Sequence, residues 1–159
     1  MHSLKKLIGI GLLLGTICTF GISPMMVHAS SIWDDVTETT KDYAEATEYP
    51  MLRTSCLSVG NAKISKLSSN SISVYGITQC HKTCDNVYLS LYLERKEDGY
   101  YATYKSWDYS TKNATNLSKS LVVSVPSGYY YRIRTYHAAS DNGSDKESIT
   151  NLSSGIYVG

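Results

Sequence analysis

The sequence predicts an all-β fold, an antiparallel β-sandwich of about seven strands. From Met51 onward, short runs rich in β-branched and aromatic residues recur roughly every ten to fifteen positions, with turn residues between them. The chain shows no βαβ rhythm, no internal repeat and no glycine-rich phosphate loop. The predicted strands are residues 62–67, 71–78, 86–94, 100–107, 117–125, 129–138 and 153–158.

The stretch 128–139, which reads G-Y-Y-Y-R-I-R-T-Y-H-A-A, is predicted to be a central strand of the sheet. Successive side chains of a strand point to opposite faces. The odd-numbered positions suit a core and are Tyr129, Tyr131, Ile133 and Thr135. The even-numbered positions suit a face toward water and are Tyr130, Arg132, Arg134 and Tyr136.

A second alternating run, at 86–94, is followed by a turn signal. Its predicted core positions are Val87, Leu89, Leu91 and Leu93. The turn reads K-E-D-G at 96–99, and its glycine adopts positive φ without a steric penalty. We therefore expect a hairpin that reverses the chain at Gly99.

Residues 127–148, S-G-Y-Y-Y-R-I-R-T-Y-H-A-A-S-D-N-G-S-D-K-E-S, resemble the penultimate strand and following loop of fibronectin type III modules. Residues 71–78 and 87–94 are similar to the second and third strands of that fold. The resemblance covers about residues 62–158 and implies an immunoglobulin-like sandwich, with Tyr129 or Tyr131 as a structural tyrosine corner. It implies no activity, because that fold carries many functions.

Two features depart from the module's pattern: the usual tryptophan of the second strand is absent, and the segment C-H-K-T-C at 80–84 is an insertion. The whole chain also resembles an uncharacterised family of small secreted proteins of Gram-positive bacteria. That resemblance brings no known function.

The first 29 residues are predicted to be a secretory signal peptide. Lys5 and Lys6 precede an apolar run at 7–22, and V-H-A at 27–29 suits a cleavage site. An apolar run of about 16 residues is shorter than the roughly 20 that a membrane-spanning helix needs. We therefore expect a secreted protein without a stable membrane anchor after cleavage.

Residues 30–60 are interpreted as an acidic leader before a β-sandwich domain at 61–159. The segment 31–49 holds six acidic residues and one lysine, and its pattern predicts a short helix, marginal on its own, that ends before Pro50. Three roles remain open for it: a mobile leader, a docking helix and a removable pro-segment.

Bulk charge argues against nucleic acid as a partner. Without Lys5 and Lys6 the chain keeps 13 basic residues against 14 acidic ones, so its net charge is near zero. Strong electrostatic attraction to a phosphate backbone is not expected at that balance. No cofactor is expected, and the predicted partner is an extracellular ligand, either a cell-wall glycan or a protein.

Three cysteines, Cys56, Cys80 and Cys84, lie in the predicted secreted part. In an oxidising compartment the short spacer favours a bridge between Cys80 and Cys84. Bridges from Cys56 to either of the others remain open and would tie the leader to the domain. A zinc site that adds His81 has suitable donors but the wrong spacing, so no metal site is expected.

Catalytic arrangements are weak in this sequence. A cysteine–histidine pair using His137 has no evident orienting partner, and Glu94, Glu97 and Asp98 cluster at a predicted hairpin tip, where a solvated turn explains them. We therefore expect no enzyme.

Two aromatic rows are the candidate binding surfaces. The first lies on and just past one predicted strand and contains Tyr100, Tyr101, Tyr104, Trp107 and Tyr109. Alternation places Tyr101 and Trp107 on one face and Tyr100 and Tyr104 on the other, so one set is expected in the core and the other in an exposed row. The second row contains Tyr130, Arg132, Arg134 and Tyr136. Exposed rings stack on sugars or on apolar patches, and paired arginines bind carboxylates or phosphates. Ordinary core packing and cross-strand pairing remain open for both rows. The expected function is an extracellular binding or adhesion module; the alternatives are a secreted toxin restrained by its acidic leader and a small hydrolase.

Overall fold

The computed structural model describes residues 37–51, 54–143 and 146–159, and every regular element in these ranges is a strand. The predicted all-β class is therefore confirmed. The predicted signal peptide at 1–29 and residues 30–36 lie outside the described residues. The strands are β1 (Glu38–Thr39), β2 (Tyr43–Glu48), β3 (Leu57–Ser68), β4 (Ser71–Glu97), β5 (Tyr100–Ser124), β6 (Tyr129–Ser140), β7 (Glu147–Leu152) and β8 (Gly155–Val158).

These strands form one mixed sheet, in the order β1-β8-β6-β4-β3-β2, with β5 paired to β4 and β7 to β6. The short β1 pairs in parallel with β8, and the other described pairs are antiparallel. Within the described ranges, no helix is long and apolar enough to cross a membrane.

The hairpin of β4 and β5 runs through the whole sheet. With 27 and 25 residues, these strands each join two segments that the sequence pattern separated. The predicted turn between them is present, since Asp98 and Gly99 have φ values of 48° and 89°. Substitution by a β-branched residue at either position would be strained.

A bend in this hairpin folds the sheet back on itself. Gln79 pairs with Asn116 of β5 and Cys84 pairs with Ala114. Four residues of β4 therefore lie opposite one residue of β5, Thr115, and the register shifts there. Unequal residue counts bend a strand at that point. The part of β4 before the bend pairs with β3 and the part after it pairs with β6, which gives a nearly closed, barrel-like arrangement.

The core lies between the two parts of the folded sheet. An added Cβ at Gly76 would lie only 2.6 Å from Leu91 Cδ2, so the halves of β4 touch face to face. The predicted core positions of 86–94 are all fully buried, as are Tyr131, Ile133 and Thr135 of β6. Tyr129 differs, because at the start of β6 it remains 37% exposed.

The helix predicted over 31–49 is wrong for the part that the structure describes. β2 pairs with β3 along its whole length, from Tyr43 opposite Ser65 to Glu48 opposite Gly60. A short helix is marginal in water, whereas Ala44 at a strand position becomes buried against the core. Pairing with the sheet therefore prevails over the helical pattern, and residues 43–48 belong to the sheet.

Candidate ligand-binding face

Side chains that point away from the core on the second part of the hairpin and on β6 form the Tyr–Arg face. The cross-strand register places Ser90 opposite Tyr136, Tyr92 opposite Arg134 and Glu94 opposite Arg132. The face consists of Tyr88, Tyr92, Glu94, Tyr101, Tyr130, Arg132, Arg134 and Tyr136.

One carboxylate pairs with both arginines of this face. Arg132 Nε donates to Glu94 Oε2 and Arg134 Nε donates to Glu94 Oε1, each at 2.7 Å. The side chains of Glu94 and Arg132 are only 7% and 4% exposed. The two guanidinium groups also stack on tyrosine rings, that of Arg132 4.0 Å from the Tyr101 centroid and that of Arg134 4.2 Å from the Tyr92 centroid.

These contacts change the interpretation of Arg132 and Arg134. The sequence predicted a row that binds carboxylates or phosphates of a ligand. In the structure Glu94 already supplies that carboxylate, and tyrosine rings cover the guanidinium planes. Arg132 is therefore held beneath the face, whereas the side chain of Arg134 is 27% exposed, and ligand binding by either arginine stays a prediction.

The other aromatic row was predicted to hold Tyr101 and Trp107 on one face, but a bulge between them places them on opposite faces. Leu93 pairs with Lys105 and Glu94 with Thr103, so Tyr104 is an extra residue in β5. Before the bulge, Tyr101 lies on the Tyr–Arg face; after it, Trp107 lies opposite Leu91. Tyr104 and Trp107 both pack against the core, where they are partly buried.

A pocket of about 260 Å³ opens beside Tyr136, at the end of the face nearest β7. Three neighbouring strands contribute to it, since Ser90 of β4 lies between Tyr136 of β6 and Asp108 of β5. Lys146 Nζ lies 3.9 Å from the Tyr88 ring centroid and covers that ring. The lining residues are Tyr88, Ser90, Asp108, Tyr109, Ser110, Tyr136 and Lys146. We name this the Tyr88–Tyr136 pocket.

Sequence reasoning singled out two residues of this pocket, Tyr136 and Tyr109. Alternation along 86–94 also placed Tyr88 and Ser90 on the outward side, so these two residues could have been found from the sequence. Asp108 and Ser110 could not, because their position depends on the β4–β5 register, which the bulge at Tyr104 shifts by one residue.

At the opposite end of the face, Tyr130 is engaged with β8. Its ring packs against Tyr157, with centroids 5.3 Å apart. Both rings line a second depression, of about 300 Å³, together with Lys66 and residues 38–42. Tyr130 and Tyr136 thus belong to different depressions.

Tyr131 makes the bond that the tyrosine-corner resemblance implies. Its hydroxyl donates to the Pro126 carbonyl at 2.8 Å, and its ring is fully buried. The rings of Tyr104 and Tyr129 approach it edge-on, at 6.1 Å and 6.5 Å between centroids. Burial raises the pKa of Tyr131, although neighbouring Arg95 acts in the opposite direction. Tyr131, and not Tyr129, holds the structural position.

His137 lies inside the barrel with both ring nitrogens bonded to threonines. Thr78 Oγ1 donates to the Tyr88 carbonyl at 2.9 Å and lies 2.9 Å from His137 Nδ1, so Nδ1 carries the proton that Thr78 accepts. Nε2 then accepts from Thr135 Oγ1 at 2.7 Å. Burial lowers the pKa of His137 to about 4. This neutral histidine has no nitrogen left to activate a cysteine.

The disulfide joins Cys56 to Cys84, with their Cα atoms 6.2 Å apart. The pairing of Cys80 with Cys84, which the short spacer favoured, is therefore not the one formed. The bend of β4 explains the difference, because it brings Cys84 into a small core cluster beside Cys56 and Leu57 at the start of β3. Cys80 is free and partly exposed.

The three acids considered for catalysis do not converge on a cleft. Glu94 is buried beneath the Tyr–Arg face, Glu97 pairs with Arg95, and Asp98 forms the hairpin turn. Glu94 is thus paired with arginines of the neighbouring strand β6, Glu97 is paired within β4, and Asp98 is placed at the turn.

A protein-family model matches residues 27–155, with the description "Family of unknown function (DUF6147)". The chain belongs to this family. No curated protein and no solved structure matches it. Because the family's description assigns no activity, a functional hypothesis for this member depends on the faces and pockets described above.

Proposed function

We propose that the protein is a secreted, non-catalytic binding module that holds an extracellular polysaccharide, such as a cell-wall glycan, at the Tyr88–Tyr136 pocket. One observation carries the proposal: this pocket combines tyrosine rings with hydroxyl, carboxylate and ammonium groups within a single depression. Apolar rings supply area for the faces of a sugar, while the polar groups match its hydroxyls.

The two tyrosines have different roles in this proposal. Lys146 already covers the Tyr88 ring. Tyr136 is half-buried in the central strand β6, and its ring therefore serves as the platform for stacking. A platform in a central strand is held by pairing on both sides, here by β4 and β7, and loses little freedom when a ligand binds.

Hydrogen bonding in the pocket suits hydroxyl groups. Asp108 accepts from sugar hydroxyls, Lys146 donates to ring or hydroxyl oxygens, and Ser90 and Ser110 do both. The volume of about 260 Å³ lies just below the range of roughly 300–1,000 Å³ that is usual for small-molecule sites. It therefore accommodates one residue of a longer chain, whose neighbours lie along the open surface.

The test is retention of the purified protein on isolated cell walls and on insoluble polysaccharides by co-sedimentation. We expect Tyr136→Ala to weaken binding several-fold, because one ring contact contributes about 0.5–1.5 kcal/mol beyond the area it buries. Tyr136→Phe keeps the stacking surface and should retain most of the binding.

The matched control is Tyr43→Ala, which removes a 46% exposed tyrosine on β2, outside the pocket. Equal losses for Tyr43→Ala and Tyr136→Ala would place the binding elsewhere. Absence of retention of the unmodified protein on every matrix would refute the glycan proposal and leave a protein ligand as the alternative.

Secretion and source are parts of the same proposal. The predicted signal peptide at 1–29 supports secretion, and the resemblance to small secreted proteins supports a Gram-positive source. The Tyr131–Pro126 bond supports kinship with fibronectin type III modules. Mass spectrometry of the released protein tests the processing site: an N-terminus after Ala29 fits, and retention of residues 1–29 does not.

The toxin alternative predicts removal of the acidic leader near Tyr49. Cleavage there would detach β1 and β2, which pair with β8 and β3 in the sheet. The structure therefore favours a binding module over a domain released from its leader. Recovery of a stable product that begins after Tyr49 would reverse this preference.

A further inference from the structure

A cluster of three sulfurs lies at the bend of β4. The Sγ atoms of Cys56, Cys80 and Cys84 all lie within 4.8 Å of one another. Cys56 and Cys84 form the disulfide and are buried, at 0% and 1% exposure, whereas the free Cys80 is partly exposed. The third sulfur therefore lies beside a disulfide and is also the one nearest to solvent.

We propose that this cluster is a thiol–disulfide exchange site in which Cys80 bonds to either partner and meets thiols and disulfides from solution. In the internal step the Cys80 thiolate attacks one sulfur of the Cys56–Cys84 bridge. A new bond forms to that sulfur, the old bond breaks, and the other sulfur leaves as a thiolate that takes up the proton lost by Cys80. The step needs no external oxidant or reductant.

The backbone around Cys80 supports movement of its sulfur between partners. Cys80 lies opposite Leu57 on β3, and the next amide, His81 N, donates to the Cys56 carbonyl at 2.8 Å. Cys80 is thus held beside Cys56. On its other side, the register shift after Gln79 leaves Cys80 without a paired residue on β5.

A carboxylate clamp holds Cys56 in place while the bridge changes. Glu147 Oε1 accepts from Ser55 N at 2.8 Å, and Oε2 accepts from Cys56 N at 3.0 Å and Leu57 N at 2.7 Å. Burial alone would raise the pKa of Glu147, but these hydrogen bonds lower it. The segment therefore stays docked by non-covalent bonds when Cys56 is released.

The environment of Cys80 makes exchange slow at neutral pH. Burial, and then the negative charge of Glu147, raise the pKa of the Cys80 thiol to about 11. Apolar side chains also pack around the cluster, and they are Leu57, Val87, Ala114, Leu117, Ala139 and Ile149. Only a small fraction of Cys80 is thiolate near neutrality, so the Cys56–Cys84 pairing persists there.

Exchange would change which segments are cross-linked. The bridge between Cys56 and Cys84 ties the start of β3 to β4 beyond the bend. A bridge between Cys80 and Cys84 would lie within β4 alone and would remove the cross-link from the start of β3. The pairing therefore determines whether a disulfide holds the segment before β3 against β4.

The experiment uses the full chain with Cys18, which lies outside the described residues, replaced by serine in every sample. Cys84→Ser and Cys56→Ser are incubated in a glutathione redox buffer, and their bridges are mapped after acid quenching and alkylation. We expect Cys84→Ser to form a bridge from Cys56 to Cys80, and Cys56→Ser to form one from Cys80 to Cys84. The control, Cys80→Ser, should keep only the native bridge.

Two free thiols in both folded variants, beside a fully bridged control, would overturn the proposal. If a variant fails to fold, alkylation of the Cys18→Ser protein, which keeps all three cluster cysteines, tests the proposal instead. After incubation at about pH 9, where thiolate is more abundant, alkyl label should appear on Cys56 or Cys84 at a level comparable with Cys80. Label confined to Cys80 would show that the sulfurs do not exchange.

Discussion

Strand β6 carries a polar cluster on each of its faces, and the two clusters are stabilised differently. On the inner face His137 is neutral, and two threonine hydroxyls satisfy its ring. On the outer face Glu94 is paired with Arg132 and Arg134, beneath tyrosine rings. The barrel interior thus holds polar groups without net charge. The charged groups lie on the outer face, covered only by a layer of tyrosine rings, where removing a charge from water costs less free energy than in the interior.

The largest loss of folding stability is expected from a substitution that breaks the outer cluster. Glu94→Gln removes the carboxylate that both arginines share, and Arg132 is almost fully buried. Leaving a buried charge without its counterion costs about 3–5 kcal/mol. Urea unfolding at neutral pH measures the loss. Glu97→Gln is the matched control, because Glu97 pairs with Arg95 at the surface. Equal losses for the two variants would show that Arg132 does not depend on Glu94.

Acidification should weaken the inner cluster next. Burial lowers the pKa of His137 from 6.5 to about 4, so between these values the unfolded chain binds a proton that the folded protein does not. Stability is therefore lost as pH falls through this window, by up to about 3 kcal/mol. Chemical denaturation at intervals from about pH 7 to 5 tests this, above the ordinary pKa of 4.5 from which backbone hydrogen bonds lower that of Glu147. The same slope in His137→Gln would assign it to another group.

A substitution that crowds the inner cluster should reduce the folding stability by a smaller amount. An added Cβ at Gly60 would lie 2.6 Å from His137 Cγ, closer than packed carbons approach. We expect Gly60→Ala to cost about 1–3 kcal/mol, as overpacking usually does. Thermal unfolding measures it. The cost should shrink in a His137→Ala background, where the ring is absent, and an unchanged cost would show that the ring is not the obstacle.

The smallest expected effect concerns a neutral bond of the inner face. Tyr131→Phe removes the hydrogen bond to the Pro126 carbonyl but keeps the ring, and it should cost about 1–2 kcal/mol. The measurement is the denaturant midpoint of unfolding of Tyr131→Phe, compared with that of Tyr129→Phe. A larger loss for Tyr129→Phe would move the corner role to Tyr129.

Alternation predicted the faces of single strands well. It placed Leu89, Leu91 and Ile133 inside and Arg132 outside, because the period of two is a local property of a strand. It did not predict that two such runs are halves of one strand. The polar residues between them, from Gln79 to Asp85, look like a loop in sequence and yet continue β4 through its bend.

The site was less predictable, since it depends on pairing between distant strands. The extra residue Tyr104 reverses the face of everything after it in β5, so Trp107 packs on the core while Tyr101 faces out. The disulfide likewise depends on where the bend places Cys84 relative to β3. Neither the bulge nor the bend leaves a signal in the order of polar and apolar residues.

The shared hairpin has a further consequence for how the protein unfolds. Since β4 and β5 pass through both halves of the folded sheet, neither half has a complete set of strands of its own. A partly unfolded state that keeps one half would leave Leu91 or Gly76 without its facing surface. We therefore expect a single cooperative transition, in which amides on both sides of the bend exchange their hydrogens at the same global rate.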